Sequence, residues 1–424
     1  MRADQSKVYF LTWWVGLGLS MPASAAGPAL TGLVGKADNA ETAFTNPAAM
    51  SRLEGTHVTL QGMFAQSFSS FDIDESKTTI DGGDPDNGTD PVVIPFAYYV
   101  RQLDDRWHAG ASLTIPSGFG SDYGNTWAGR YQAVDFSLVY VSLTPAVSYR
   151  VNDRLSLGLG VGFNYTSETS ENKIPLLFSP DDGKIKSDLD GVGINFTLST
   201  FYEFSERTRA GISWTSDSDA DLEGKDRLRQ LDPLFDKIAT DLGIKNIDTK
   251  ITNTLPQRVL TGIYHEFESG NFLTVDGMWM KFSDFSVSNL ELDGNDVNIS
   301  TPSIYKDLWA INAGFGFRMD GRKTYRVGAM YLSQGVDDED RDFAIRVDEM
   351  WAIGAGVSYA LNEGKRVDVN LTFLNTGEAP VDQKTLTGRV AGKNDDPYAL
   401  LLELTYSLDC CNHLYVYNFT ILVF

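Results

Sequence analysis

Over most of its length the chain runs in a two-residue rhythm. Leu155, Leu157, Leu159, Val161, Phe163 and Tyr165 are apolar or aromatic, and the residues between them, Ser156, Gly158, Gly160, Gly162, Asn164 and Thr166, are small or polar. Successive side chains of an extended strand point to opposite faces, so this pattern predicts a strand with one greasy face and one small polar face. The rhythm returns in Val192, Ile194, Phe196 and Leu198, in Trp309, Ile311, Ala313, Phe315 and Phe317, in Trp351, Ile353, Ala355, Val357, Tyr359 and Leu361, and in Tyr398, Leu400, Leu402, Leu404, Tyr406 and Leu408. Read in this way the chain predicts fourteen strands, starting near Thr56, Val92, Trp107, Val134, Arg154, Leu189, Arg209, Gln257, Phe272, Asp307, Thr324, Met350, Val367 and Tyr398.

The connections alternate in length. Short turns fall at Leu103 to Arg106, Asn152-Asp153, Ser205 to Thr208, Ser269 to Asn271, Asp320 to Lys323 and Asn362 to Lys365, and they carry the Asn, Asp and Gly that tight hairpins need. Seven long segments lie between them, the longest from about Asp217 to Leu255. An even strand number with short turns on one side and long loops on the other describes an outer-membrane barrel. A soluble all-β sandwich also has one apolar face, but three features count against it. The polar face is small and rich in Gly, Ser and Asn, as suits a crowded lumen. Trp107, Tyr149, Trp214, Trp279, Trp351, Tyr398 and Tyr406 cluster toward strand ends like interfacial girdles, and the loop asymmetry persists along the whole chain. Asp276 and Glu403 fall on the inward parity. Lys281 falls outward, late in its strand, where it can snorkel.

Two segments break the rhythm. Residues Ala26 to Glu54, ahead of the first strand, are too long for a tail and too small and polar for a membrane segment; they predict a plug folded into the lumen. Leu228, Leu231, Leu234, Phe235, Ile238 and Leu242 form a helical stripe within the longest loop, an apolar surface where a greasy ligand would first adhere. Before these, Arg2 and Lys7, the apolar run Val8 to Leu19 and Ala23-Ser24-Ala25 read as a secretory signal cut after Ala25. No later stretch approaches the ~20 apolar residues of a spanning helix.

Composition narrows the function. The net charge of -22 argues against nucleic acid as a partner, since phosphate binding needs a basic surface. Acid placed in external loops would be screened by divalent cations or lipopolysaccharide counter-ions. Cys410 and Cys411 are adjacent, which strains a bridge between them, so no disulfide framework or metal set is expected. His57, His108, His265 and His413 fit no metal or triad spacing, and a catalytic Ser-His pair is a weak alternative. Asp84-Pro85-Asp86-Asn87-Gly88 is similar to the start of a calcium loop, but Pro95 stands at the twelfth position, where a Glu is wanted. The run from Asp337 to Asp342 reads as a hydrated loop.

One motif adds a family. In Thr45-Asn46-Pro47-Ala48-Ala49-Met50 a proline sits where a helix would start, capped by Asn or Thr. Its place, about twenty residues past the cleavage site and just before strand one, resembles the Asn-Pro-Ala signature in the hatch of the FadL/TodX family of outer-membrane hydrophobe transporters. Ala109 to Pro116 with the Gly/Tyr/Trp loop to Arg130, Leu143 to Arg150 leading into Leu155 to Gly158, Leu255-Pro256, Trp279 with Phe282-Ser283, and Trp351 to Gly356 are similar to the same family. The resemblance implies an all-β, 14-stranded antiparallel transmembrane β-barrel with an N-terminal hatch in the lumen: signal peptide 1–25, hatch 26–55, barrel 56–408 and an atypical tail 409–424.

The function so implied is passive uptake of hydrophobic compounds, foremost long-chain fatty acids, with aromatic hydrocarbons as the alternative and an outer-membrane lipid hydrolase behind them. Ligand binds an outer groove, passes to an internal pocket and leaves sideways beside a kinked strand. The hatch signature is Asn46, Pro47 and Ala48. The kink and lateral gate are expected near Gly110 to Pro116, since Gly and Pro both break strand pairing. The outer groove is expected at Leu231, Leu234, Phe235 and Ile238. The resemblance implies a monomer in the outer membrane, dealing with hydrophobic small molecules, lipopolysaccharide and the barrel-assembly machinery. It implies no cofactor, no metal and no enzyme activity.

Overall fold

The structure is a computed structural model that describes residues 31–410 apart from 86–90, 177–178, 286, 293–294, 298–303, 344–347, 363 and 396. The expected signal peptide, His413, Cys411 and the rest of the tail lie outside the described residues, as does most of the calcium-like turn.

The two-residue rhythm folds as strands. In chain order they are β1 Thr56–Ser67, β2 Ser70–Ile73, β3 Val92–Gln102, β4 Trp107–Asp122, β5 Asp135–Arg150, β6 Leu155–Ile174, β7 Gly183–Glu203, β8 Thr208–Thr215 and β9 Ser218–Arg229. They continue with β10 Asn246–Leu255, β11 Arg258–Glu266, β12 Phe272–Met280, β13 Val287–Leu292, β14 Asn295–Val297, β15 Leu308–Arg318 and β16 Lys323–Leu332. The last are β17 Met350–Asn362, β18 Lys365–Asn375, β19 Val381–Thr385, β20 Gly388–Asp395 and β21 Tyr398–Cys410. Each wall strand pairs antiparallel with its neighbours, and β1 pairs with both β3 and β21, from Thr56↔Cys410 to Ser67↔Ala399, which closes the sheet. Two pieces, β8 with β9 and β10 with β11, each act as one wall strand interrupted near the outer rim, and β13 continues the line of β12. The result is a closed antiparallel barrel of fourteen wall strands.

Its polarity is inverted relative to a soluble protein. Leu157, Leu159, Phe163, Ile194, Phe196, Leu198, Trp309, Ile311, Trp351, Ile353 and Leu404 are exposed on the outer surface. Ser156, Asn164, Asn195, Thr197, Ser199, Asn312, Thr405 and Ser407 are buried on the inner one. An outward greasy face requires a hydrocarbon solvent, and closure leaves no unpaired edge within it. Aromatic pairs mark both rims: Trp107 with Tyr149 beside the short turns, Trp309 with Tyr331 beside the long loops. Lys281 stands just past β12 and pairs with Asp284 at 2.9 Å.

The strands run further outward than the apolar rhythm indicates. The segment expected as one loop from Asp217 to Leu255 holds β9 and β10, paired from Ser218↔Leu255 to Arg227↔Asn246. β7 starts at Gly183 rather than near Leu189, and β21 extends past Leu408 to Cys410. Above the membrane the outward face carries charge, as in Asp219, Asp221 and Glu223, and the inward face is buried at Ala220, Leu222 and Ile251, so the outward apolar rhythm stops. The helix of the same loop is Pro233–Asp241 (α2), shorter than the stripe from Leu228 to Leu242. Leu228 lies in β9, which Arg229 ends, and Leu231 lies between strand and helix, because Asp232 caps the helix by accepting the N–H groups of Leu234 and Phe235 and Pro233 starts it.

A buried charge network braces the lumen wall. Arg326 on β16 donates to Asp368 (2.9 Å), Ser358 (2.7 Å) and Asn370 (2.8 Å), and Asn370 donates to Glu403 at 2.6 Å. Replacing Arg326 with Met strips a buried carboxylate of one partner while Arg366 still faces it at 3.1 Å. The barrel is expected to lose about 3 kcal/mol, the low end for breaking a buried ion pair. Urea unfolding in lipid vesicles, followed by tryptophan fluorescence, measures this.

Candidate functional site

Residues 31–55, ahead of β1, fill the lumen toward the short-turn end. They form a four-residue helix, Thr42–Thr45 (α1), and a 3-10 helix, Pro47–Arg52, whose first residue is the proline of the Asn-Pro-Ala motif. Nearly every residue from Val34 to Leu53 is buried. Wall side chains hold the segment along its length. Asp276 of β12 accepts the N–H groups of Leu33 and Val34 (3.1 Å each), and Arg209 of β8 donates to the carbonyls of Gly35 (3.0 Å) and Lys36 (3.2 Å). Arg366 of β18 pairs with Asp38 at 3.0 Å. Asn46 donates to the Thr200 carbonyl (3.3 Å), and the Ala48 N–H donates to Ser199 Oγ (2.9 Å). Arg150 binds the Ser51 carbonyl, and Arg52 pairs with Glu203. Asn46, Pro47 and Ala48 therefore sit against β7, all buried.

Close backbone approach explains the small inner face. A Cβ at Gly158 would stand 2.2 Å from Ala48 N and 2.6 Å from Pro47 C. One at Gly110 would stand 2.5 Å from Met50 Sδ, and Gly110 lies in regular register between Val100 and Ala146. The irregularity in β4 falls further along, between Thr114 and Ser117, and brackets Pro116.

Beyond that point the wall is incomplete. β3 pairs with β4 only from Gln102↔His108 to Ala97↔Leu113. Among the described residues, Val92 to Phe96 of β3 pair with β1, Ser117 to Asp122 of β4 pair with β5, and the two stretches do not pair with each other. Apolar side chains stand behind the opening: Phe44, Met50, Met63 and Phe96 form one buried cluster, with Ile94 and Ile115 packed against it.

Inside the lumen a narrow cleft has Pro116, beside this opening, in its lining. Ser142, Thr144, Asn164, Asn195, Thr197 and Thr215 make its polar side; Phe44, Pro116, Leu255, Pro256 and Met280 make its apolar side. Its one cation is Arg258, the first residue of β11, buried, with the guanidinium 4.8 Å from the centre of the Phe44 ring. Sequence reading missed both residues. Arg258 looks like an ordinary charge at a strand start, and Phe44 lies in a helix too short to show a period.

At the outer rim, Leu234, Ile238 and Leu242 of the α2 region are exposed, Phe235 is half-buried, and Leu231 lies over Gly183 of β7. The opposite loops close on an aromatic core of Phe71, Tyr123, Trp127 and Phe343 beneath the small sheet β19-β20-β2, with Tyr123 Oη donating to the Phe343 carbonyl at 2.9 Å.

A closed barrel with a greasy exterior, an occupied lumen, an internal cleft and a break in the pairing of its wall is an outer-membrane channel for hydrophobic compounds. The chain belongs to the outer membrane protein transport protein family (OMPP1/FadL/TodX), whose model matches residues 20–408. It is 23% identical to outer membrane protein P1 of Haemophilus influenzae over 355 residues, covering 73% of this chain and 74% of that one. It is 22% identical to the long-chain fatty acid transport protein of Salmonella typhi, covering 88% and 90%. Its fold matches the crystal structure of a Pseudomonas aeruginosa FadL homologue (TM-score 0.81, 20% identity, 91% and 97% covered). It also matches that of the Ralstonia pickettii toluene transporter TbuX (TM-score 0.64, 19% identity, 92% and 98% covered).

Two outcomes follow for the N-terminal segment. Gly158→Ala should unseat it while leaving the lipid-facing strands intact, so that protease cleaves between residues 32 and 55 and single-channel conductance rises. Unchanged protection would show that the wall yields instead. Burial, and then the neighbouring Glu403 carboxylate, push the Glu41 carboxyl up to about 7 from its ordinary 4.5. Asp38 and Asp368 push the same way, and Asn39 opposes. The seated segment then binds the extra proton, so its hold is firmest below about 4.5 and weakens as pH rises through about 7. Hydrogen exchange of residues 38 to 45, corrected for the intrinsic rate, should quicken over that window, and Glu41→Gln should flatten the change.

Proposed function

We propose that this protein takes up long-chain fatty acids passively, with Arg258 receiving the carboxylate and the break between β3 and β4 releasing the ligand sideways. The observation that carries this reading is a buried guanidinium in a cleft whose lining includes Pro116, next to the stretch of β4 that does not pair with β3. A guanidinium among the residues lining the cleft matches an anionic head group in charge, and a carboxylate takes a guanidinium through paired, charge-assisted hydrogen bonds. An alkyl chain needs a dry path, because each CH₂ moved from water to an apolar site gains ~0.8 kcal/mol. Ile94, Phe96 and Ile115 offer such a path at the wall. The exposed apolar side of α2 offers the first hold from outside, and residues 26–55 act as the hatch that must shift for passage. The gradient supplies the drive.

An aromatic hydrocarbon is the second reading. It is favoured by the fold shared with the Ralstonia pickettii toluene transporter. Uptake separates the two. In cells that rely on this protein, Arg258→Gln should lower oleate uptake about tenfold or more, the worth of hydrogen bonds to a charged group. Toluene entry should not change. Equal loss of both, or of neither, would remove the fatty-acid reading.

A further inference from the structure

We propose that the outward faces of β6, β7 and β9, above the membrane, bind the phosphorylated core sugars of a neighbouring lipopolysaccharide through Lys173, Lys184, Lys186, Arg227 and Arg229.

The register comes first. β6 and β7 pair in one register from Leu155↔Tyr202 to Ile174↔Gly183. Side-chain parity therefore carries over, and Lys184 and Lys186 share a face with Val192 and Ile194, which are exposed on the greasy exterior. Lys173 stands opposite Lys184, and Lys184 opposite Arg229, a row of cations across neighbouring strands. In the next row Lys186 stands opposite Arg227. Like charges directly opposite one another are destabilising.

The neutralising groups come second. Among the described residues of β6, β7 and β9, these two rows hold five cations and one carboxylate, Glu171, which pairs with Lys184 at 2.7 Å. Asp188, from the row below, is shared between Arg227 and, at 3.5 Å, Lys186. Asp182 at the hairpin tip is held by Arg130 at 2.7 Å. Asp135 of β5 stands opposite Glu171 and bounds the patch on that side. Lys186 and Arg229 are exposed. The row below is self-complementary, since Asp188, Lys225 and Asp248 alternate in sign across it. The two outer rows do not alternate, and their complement is a polyanion on a neighbouring molecule.

Height selects the polyanion. Lys186 lies six residues outward of Val192, roughly 20 Å along the strand and about 15 Å above the hydrocarbon once strand tilt is allowed for. Between them the wall is acidic: Asp190 stands opposite Glu223, and Asp221 and Asp219 follow on β9 toward the membrane. A phosphate at the hydrocarbon surface would be repelled by that acid. A phosphate carried on sugars farther out meets the cations. Lipopolysaccharide supplies this, because its core sugars rise above its acyl chains and bear phosphates. A guanidinium takes a phosphate through paired hydrogen bonds, and a lysine takes it as a point charge.

The test uses full-length protein in detergent and three probes: lipopolysaccharide with a phosphorylated core, the same lipopolysaccharide made without core phosphates, and lipid A. Binding is measured with and without EDTA. The first probe should bind in both conditions, and the other two about tenfold more weakly. Lys186→Gln/Arg227→Gln/Arg229→Gln should bind the first probe about tenfold more weakly, as three exposed ion pairs together allow. Lys237→Gln/Lys245→Gln, on the same hairpin but off the two rows, should bind like the wild type. Heat-modifiable gel mobility checks folding, and Arg229→Gln alone, at an exposed strand end, should give a smaller loss in the same direction. The proposal is overturned if the triple variant binds the first probe like the wild type or if core phosphates make no difference. It is equally overturned if EDTA abolishes binding, which would assign it to divalent bridges on the acidic rows.

Discussion

A backbone inside hydrocarbon has no water to bond to. Every N–H and C=O there must find a partner within the protein, and each failure costs several kcal/mol. The pairing of β1 with β21 meets that demand by leaving the sheet no edge. The inverted polarity follows, since a closed wall with lipid outside can place its polar and charged residues only within. The same demand gives weight to the break between β3 and β4. Pairing stops there beside Pro116, which has no N–H to leave unbonded, and apolar side chains take the place of the missing ladder.

The lumen holds apolar clusters, but its N-terminal segment is positioned by charge as well as by packing. Arg326, Arg366, Asp368 and Glu403 form a lattice on neighbouring strands, and Lys36 and Asp38 join it from the N-terminal segment. Such groups gain little stability over a well-packed apolar core, but they fix position, because a misplaced partner leaves a buried charge alone. The same segment lies on glycine at β4 and β6, where any side chain would collide with it. Ion pairs and close packing together hold it at a defined height below the cleft.

Much of this fold was legible in the sequence because its strongest signal, period-two alternation, is imposed directly by lipid on one side and lumen on the other. Strand starts at Thr56, Val92, Trp107, Phe272, Met350 and Tyr398 coincide with those expected. The extension of β9 and β10 did not show, since the outward positions there are Asp219, Asp221 and Glu223, and the apolar residues Ala220 and Leu222 face inward, the reverse of the membrane rhythm. The site was less legible. Pro116 announced itself by chemistry, but its effect on register depends on β5 across from it. Arg258 and Phe44 are 214 residues apart in the numbering, and only closure of the barrel around the N-terminal segment brings them into contact. No local period records such a meeting.

The N-terminal segment and the seam of the barrel are one continuous stretch of chain: Leu53 ends the first, and Thr56 begins the strand that pairs with the last one made. Only Glu54 and Gly55 lie between them, so the enclosed segment and the strand that closes the enclosure share one short tether, and neither can travel far without the other.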